Sequence, residues 1–507
     1  MGLREQLAAR DAEIVRLTQS IAEQTSLIAA LTRTIAEQTA AIESLRHGLD
    51  KRKRKDFGRK SERMPTIREE LEARQAALPD PAAKPADKPK RTARAEPLEV
   101  LETPVLAPSS RATCGRCGEE ASITLPPSPG RRLIEYRPPS FVYEQPMLER
   151  RACPCGHHTI SATSPEPLAE RSPFGPRLVA HLVTTKLLDA VPQYRLSRIL
   201  KRSGVLLSRQ TMNDLFHRAA DATKLLSDRL MAIIAEQEIV EADETTQRCQ
   251  DKRGTNYLWA FRAEVEPGKA LVAYCFARSR ASDVPARILA ADPAQARGRR
   301  YLLTDMYSGY GPAARAARRQ RAACWAHVRR HFFELKDSHP VVLEVLGLIL
   351  DLYEVERDAE REGIVGSGAH HGLRRERSLP IVMAIRLWAR HQRRGVAPRS
   401  PLGKALAYVL GNMPGLTRFL REPRLRLDNN RLENAMRAPA MGRKNWLFVG
   451  DGDCGERHAC LLTLLQSAVG CGHNPEVYLA DVLRRLGTTR QQDLDLLLPH
   501  RWRPEPT

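Results

Sequence analysis

The sequence predicts a multidomain α+β protein, on three observations. An unbroken heptad fills the first fifty residues, two cysteine pairs sit among short β-type runs between positions 114 and 155, and from Ile239 a β-β-β-α-β succession leads into long helical stretches. At 507 residues with 42% apolar content, the chain has room for several domains with real cores. Its 81 Lys and Arg against 60 Asp and Glu give a net charge of +21. That excess favours a polyanionic partner, nucleic acid first, over acidic substrates. No stretch approaches the roughly 20 apolar residues of a membrane span, and the polar, heptad-patterned N-terminus is unlike a signal peptide. A cytoplasmic, nucleoid-associated protein with no membrane partner is therefore expected.

Residues 1–50 place Leu7, Ile14, Ile21, Ile28, Ile35, Ile42 and Leu49 at every seventh position, with Leu3, Leu17, Leu31 and Leu45 at the alternate seam position. Ile at a with Leu at d favours a parallel two-stranded coiled coil, hence self-association, over a lone amphipathic helix. Gln24 and Gln38, in the repeated segment Ile-Ala-Glu-Gln-Thr, put polar groups in the seam that fix register. Residues 51–63 then carry eight basic and two acidic side chains, suited to sequence-blind phosphate contact or simply to solvation. Together with an Ala-, Pro- and Lys-rich linker this basic segment extends to residue 107.

A zinc-ribbon-like module is expected over 108–160. Cys114-Gly-Arg-Cys117 and Cys153-Pro-Cys155 flank the strand-like runs Arg-Leu-Ile-Glu-Tyr and Phe-Val-Tyr-Glu, and two cysteine pairs on separate turns suit a tetrahedral structural zinc. The second pair is one residue short of the usual knuckle, so His157 or His158 can replace a thiolate, and four free thiols are the plain alternative. The other six cysteines, Cys249 to Cys471, are scattered and read as small buried apolar side chains. Over 171–225 the pattern turns helical. A segment ending at Ile199-Leu200, the turn Ser203-Gly204-Val205 and a short helix capped by Ser208 outline a helix-turn-helix or a simple packing hairpin. Arg209 and Gln210 are its candidate DNA contacts.

The core is expected over 235–460. Strands are read at Ile239–Asp243, Tyr257–Ala263 and Leu271–Phe276, with Gly254 and Gly268 at the turns, then a helix over Ser282–Ala290 and a strand through Tyr301–Asp305. This order resembles the first half of the ribonuclease H fold, in which the first and fourth strands are neighbours and would set Asp243 beside Asp305. The basic stretch with Arg315, Arg318, Arg319 and Arg321 can clamp phosphates or form a wet helix face. Residues 337–425 read as a helical insertion, and 461–507 as a short helical tail. Glu433, three residues after Asn430, fits either a capping box or a third metal carboxylate. Two strand-end aspartates and a helical glutamate, Asp243, Asp305 and Glu433, can hold two divalent cations about 4 Å apart, and hard oxygen ligands of this kind select magnesium or manganese. Glu244 and Asp428 are nearby competitors. Arg329, Arg330, Arg443 and Lys444 lie near enough in sequence to touch DNA at such a site.

With these residues in hand, the chain resembles the transposases of the insertion sequence sixty-six family over nearly its full length. The matching pieces are Phe57-Gly-Arg-Lys-Ser-Glu62, the paired cysteines, Gly175-Pro with Pro192-Gln-Tyr-Arg195, Ala242-Asp-Glu-Thr245, Asp305-Met-Tyr-Ser-Gly-Tyr310 and Cys324-Trp-Ala-His327. Later come Asp428-Asn-Asn430 with Glu433-Asn-Ala435, Gly442-Arg-Lys-Asn-Trp-Leu-Phe448, Asn474-Pro-Glu-Val-Tyr-Leu479 and Leu497-Leu-Pro499. The sequence departs from the pattern in its shortened second cysteine pair, and in Thr-Gln-Arg after Asp-Glu-Thr where members often have Pro-Trp. The resemblance implies an Asp-Asp-Glu transposase with a ribonuclease H-like core, in which Asp243, Asp305 and Glu433 hold the metals that serve end cleavage and strand transfer. It also implies binding of terminal inverted repeats through the helix-turn-helix and zinc ribbon, capture of target DNA, and accessory proteins of the same element. A non-catalytic DNA-binding regulator and a nuclease without strand transfer are the alternatives.

Overall fold

The computed structural model describes residues 141, 150–152, 159–161, 173–250, 255–290, 298–446 and 448–504. The expected coiled coil, the basic segment and linker, and Cys114, Cys117, Cys153 and Cys155 lie outside them. Strands β1 (Arg150–Ala152) and β2 (Thr159–Ser161) pair antiparallel and bracket the second cysteine pair in sequence.

Helix α1 (Pro176–Leu187) starts with proline in its first turn, where a missing N–H costs nothing. After α2 (Gln193–Arg202) the chain reverses at Gly204, whose φ of +85° is the left-handed conformation glycine adopts without strain. The Ser208 hydroxyl then caps α3 (Arg209–Glu236) by accepting the Thr211 N–H at 3.0 Å. The expected short second helix is therefore 28 residues long. Its first half, with Met212, Leu215, Phe216 and Ala219, packs in one hydrophobic cluster with α1 and α2, while Leu226, Leu230 and Ile234 pack in a second cluster with sheet residues. The continuous apolar stripe, not a turn signal, sets its length.

The sheet follows. Strands β3 (Ile239–Gln247), β4 (Asn256–Glu266) and β5 (Lys269–Ala277) form an antiparallel meander, and β6 (Arg300–Thr304), reached through α4 (Asp283–Leu289), lies parallel to β3. The expected β-β-β-α-β order and the adjacency of first and fourth strands are both observed. A fifth strand, β7 (Arg319–Ala323), follows α5 (Tyr310–Ala316) and gives the order β5-β4-β3-β6-β7. This corrects the reading of the basic stretch as a wet helix face. Arg319 is buried, and its guanidinium donates to the carbonyls of Ala235, Gln237, Glu238 and Tyr301, so it closes the C-terminal end of α3 against the sheet.

Between β7 and residue 425 the described elements are helical: α6 (Trp325–Phe333), α7 (Val342–Arg361), α8 (Gly368–Leu373), a π-turn over Arg374–Ser378, α9 (Leu379–Arg393), α10 (Pro401–Leu416) and a 3-10 turn over Arg418–Leu420. Arg374 pins this bundle from inside, paired with Glu356 at 2.6 Å and donating to the carbonyls of Phe419 and Glu422. Helices α11 (Asn430–Trp446), α12 (Gly452–Gly470) and α13 (Pro475–Arg485) complete the fold. The expected boundary at 460 falls inside α12, which is part of the core packing. The Ser467 and Thr463 hydroxyls bond the backbone of Val272 and Tyr274 on the edge strand β5, covering an edge that would otherwise be open to pairing. Close approach is possible because a Cβ at Gly470 would lie 2.2 Å from the Ala270 carbonyl oxygen. No helix among the described residues is long and apolar enough to cross a membrane.

Candidate functional site

Strand alternation separates the two faces of the sheet. Val240, Ala242, Trp259 and Phe261 pack in the cluster that holds the second half of α3, whereas Leu258 and Ala260 pack in the cluster that holds Leu432, Ala435 and Met436 of α11. Asp243, paired with Ala260, faces the α11 side. The β3–β6 register runs Ile239↔Tyr301 to Glu241↔Leu303, and two further steps set Asp243 beside Asp305 on the same face. Asp243 does not end its strand as expected. It lies in the middle of β3, at the level where β6 stops, because Thr245 to Gln247 go on pairing with β4.

The turn after β6 fixes Asp305. Met306 has φ +69°, a conformation that costs a non-glycine residue of order 1 kcal/mol or more. Three hydrogen bonds hold it: Met306 N–H to the Thr304 hydroxyl at 3.1 Å, Tyr307 N–H to Asp305 Oδ1 at 2.8 Å, and the Tyr408 hydroxyl of α10 to the Asp305 carbonyl at 2.7 Å. Asp243 Oδ1 accepts the Glu244 N–H at 2.8 Å. Burial, then the negative charge of Glu244, Glu433 and Asp305, pushes the Asp243 carboxyl up to about 7.

Glu433 stands in the first turn of α11. Its Oε2 accepts from Arg330 of α6 at 3.1 Å, and its buried Oε1 has no hydrogen-bond partner. The capping-box reading is not what is observed. Asp428 accepts the Asn430 N–H at 3.1 Å and the Asn430 side-chain amide at 2.9 Å, and α11 begins at Asn430 itself. Opposite Glu433 Oε1, 3.8 Å away, is His327 Nδ1, also buried and without a partner. Burial holds the His327 imidazole below its usual range despite the nearby Glu433. Two orphaned polar atoms facing each other suit a shared cation. The sulfur of Cys324 completes a group whose donor atoms all lie within 4.8 Å of one another. Burial drives that thiol upward, so it stays protonated and offers little to a hard cation. The three carboxylates are not drawn that tightly together.

Both competitors are engaged elsewhere. Glu244 points to the opposite face, only 2% exposed, where it accepts from the Tyr310 hydroxyl at 2.5 Å and from Arg280 Nε at 2.7 Å. Asp428 also accepts from the Tyr353 hydroxyl at 2.6 Å. The basic candidates divide. Arg330 reaches Glu433, and Arg329 lies on the same helix with its guanidinium 5.3 Å from the Phe333 ring. Arg443 is almost three helical turns past Glu433, about 15 Å along α11, and donates to the Thr245 hydroxyl at the end of β3, with exposed Lys444 beside it. Arg209 and Gln210 are exposed at the first turn of α3, where Gln210 donates to Asp214. Reasoning on the sequence passed over His327, although it lies in Cys324-Trp-Ala-His327, and had no signal for Tyr408.

Residues 171–457 match the family described as Transposase IS66 family, and residues 463–500 match its companion, the IS66 C-terminal element. Two similar proteins come from Sinorhizobium fredii (strain NBRC 101917 / NGR234). "Uncharacterized protein y4qI" is 30% identical over 83% of this chain and 79% of its own length, and "Uncharacterized protein y4jD" is 29% identical over 79% of this chain and 80% of its own. With the greater part of its length matched, the chain belongs to the IS66 transposase family.

Proposed function

We propose that the chain is a DNA transposase that binds element ends and carries out metal-dependent cleavage and strand transfer, with Asp243, Asp305 and Glu433 as its metal-holding carboxylates. The observation that carries this reading is the convergence of three acids from β3, β6 and α11 on one sheet face, close enough that their mutual repulsion helps lift Asp243 to about 7. Such a cluster is unfavourable alone and suits divalent cations. Family membership implies divalent metal use, and the unpartnered Glu433 Oε1 is an oxygen donor of the right kind for magnesium or manganese. When bound, the ions supply activation of the attacking hydroxyl or water and neutralisation of charge on the leaving oxygen.

The chain's own groups orient the rest. Tyr408 and the Met306 turn hold Asp305 rigidly, and Arg330 keeps Glu433 directed toward the site. His327, its imidazole held below its usual range by burial, offers Nδ1 beside Glu433 as a further donor to the shared cation. Arg209, Gln210, Arg329, Arg443 and Lys444 are proposed to contact DNA. Structural zinc on Cys114, Cys117, Cys153 and Cys155, pairing of two subunits through residues 1–50, accessory proteins of the same element and a cytoplasmic setting belong to the same proposal.

The test is a joining assay with labelled element-end DNA, target DNA and Mg2+. Asp305→Asn is expected to bind ends like the wild type but to lose joining by at least about a hundredfold, the scale of a lost electrostatic stabilisation. Equal joining by both proteins would sink the mechanism. Cleaved ends without joined product would identify a nuclease instead, and binding without cleavage a regulator.

A further inference from the structure

The helical bundle between β7 and α11 contains a second feature. Helix α9 carries Arg386, Arg390 and Arg393 and is capped by Arg394, whose backbone is still helical; spaced i, i+4, i+7 and i+8, all four share one face. That spacing usually belongs to an apolar stripe. Here the four are exposed and line an open groove of about 600 Å³ whose other wall is Leu410, Met413 and Pro414 of α10. From Leu379 to Arg421 the sequence has eight Lys and Arg and no Asp or Glu.

Among the described residues, none of these four guanidinia has a hydrogen-bond or ion-pair partner. Other arginines of the same bundle are matched with carboxylates: Arg357 and Arg361 with Glu354, Arg374 with Glu356, and Arg377 with Asp358. Like charges one turn apart on a helix cost about 0.2–0.5 kcal/mol per pair. Arg375, Arg399 and Arg421 of the bundle are also without a carboxylate, but here four unpaired guanidinia share one helix face, as on a surface that meets a polyanion.

The groove and the carboxylates lie on opposite sides of α10. On α10 the residues facing the groove lie opposite Tyr408, whose hydroxyl bonds the Asp305 carbonyl at 2.7 Å. The width of that helix, about 10 Å, thus stands between the groove and the Tyr408 side of α10. The row from Arg386 to Arg394 spans about 12 Å along the axis, while a duplex strand places one phosphate per about 3.4 Å of axis. About three successive phosphates fall within its reach.

We infer that the α9–α10 groove is a duplex-DNA clamp, in which Arg386, Arg390, Arg393 and Arg394 hold the phosphate backbone of DNA passing beside the carboxylate site. The inference rests on the reading of the chain as a DNA-processing enzyme and adds to it a contact surface supplied by the helical bundle. Guanidinium forks suit phosphate oxygens, and such contact carries no base specificity.

The test measures binding of the full-length protein to a labelled duplex of element end plus flank, without added Mg2+ and without a chelator, between 50 and 300 mM KCl. With all four arginines replaced by alanine, the slope of log affinity against log salt is expected to fall in magnitude by about 2–4, close to one per lost phosphate contact. Replacement by lysine is expected to keep most of the slope. Removing the ion-paired Arg357, Arg361, Arg377 and Arg484 takes away the same charge and is expected to change it by less than about one unit. An unchanged slope in the alanine variant, or an equal fall in the ion-pair control, overturns the clamp while leaving the proposed function standing. A wild-type protein that binds no duplex overturns both.

Discussion

Asp243→Asn separates the stability of the carboxylate cluster from its use. The Asp243 carboxyl is lifted from 3.8 to about 7, by burial first and then by Glu244, Glu433 and Asp305. A group whose folded value is raised adds stability that is fully present below its unfolded value and is lost as pH rises through the folded one, here between pH 3.8 and about 7. At about 1.4 kcal/mol per unit the shift corresponds to about 4 kcal/mol, and partial access of water brings the working figure to about 2–4 kcal/mol. Asparagine keeps the shape without the charge. In EDTA at pH 8 the variant is expected to be more stable than the wild type by that amount, the gap narrowing to about 1 kcal/mol at pH 5. Urea denaturation followed by tryptophan fluorescence measures it, Trp259 being fully buried in the sheet. Ten millimolar Mg2+ should then stabilise the wild type alone, by about 1.4 kcal/mol for a millimolar site. A variant equal to or weaker than the wild type at pH 8 would refute the raised Asp243 carboxyl, and with it the cost of holding that charge buried among Glu244, Glu433 and Asp305 in the metal-free protein.

Two further substitutions probe the remaining supports. Glu433→Gln retains an oxygen that can accept from Arg330, and the α11 N-terminus is held by Asp428, so stability is expected within about 1 kcal/mol of wild type while joining falls at least about a hundredfold. Wild-type joining by this variant removes Glu433 from the metal set. Arg319→Met keeps the aliphatic stem but strips the donor from the carbonyls of Ala235, Gln237, Glu238 and Tyr301. A loss of about 3 kcal/mol or more in urea denaturation is expected, and a loss below about 1 kcal/mol would mean that water takes over those carbonyls.

The core was legible where side-chain patterning is itself the cause of structure. The meander of β3, β4 and β5 and the crossover to β6 follow from short apolar runs broken by turns, and the β3–β6 neighbourhood that joins Asp243 to Asp305 follows from that order. The rest depends on partners remote in sequence. Strand β7, Arg-Gln-Arg-Ala-Ala, lacks an apolar alternation, and becomes a strand because Arg319 finds four carbonyls across the molecule. Strand β3 outruns its apolar part because Thr245 and Thr246 pair with Leu258 and Tyr257. Glu433 was ambiguous in sequence between cap and ligand, since spacing alone cannot say which way a carboxylate turns. Its turn toward Arg330 and His327 is a tertiary fact, as is the reach of Tyr408 to Asp305.

Charge accounting at the site explains why these acids suit cations rather than arginines. Of the four carboxylates Asp243, Glu244, Asp305 and Glu433, Glu244 is matched by Arg280 and Glu433 by Arg330. Asp243 and Asp305 have no ion pair among the described residues, although the chain carries 81 Lys and Arg. In a protein this basic, leaving two adjacent aspartates unmatched is a selective arrangement. A guanidinium there would satisfy both and fill the space a phosphate needs, and the site would be stable and inert. Two unmatched charges equal one divalent ion. On the proposed reading, a DNA phosphate entering beside it would add one more negative charge and so favour a second cation, while Arg330, 3.1 Å from Glu433, offsets that carboxylate's charge. On that reading DNA entry would favour completion of the metal set, and the Arg330 charge beside Glu433 would keep the second ion weak until then. The affinity of the second ion should therefore rise when DNA binds, and Arg330→Ala should weaken that dependence.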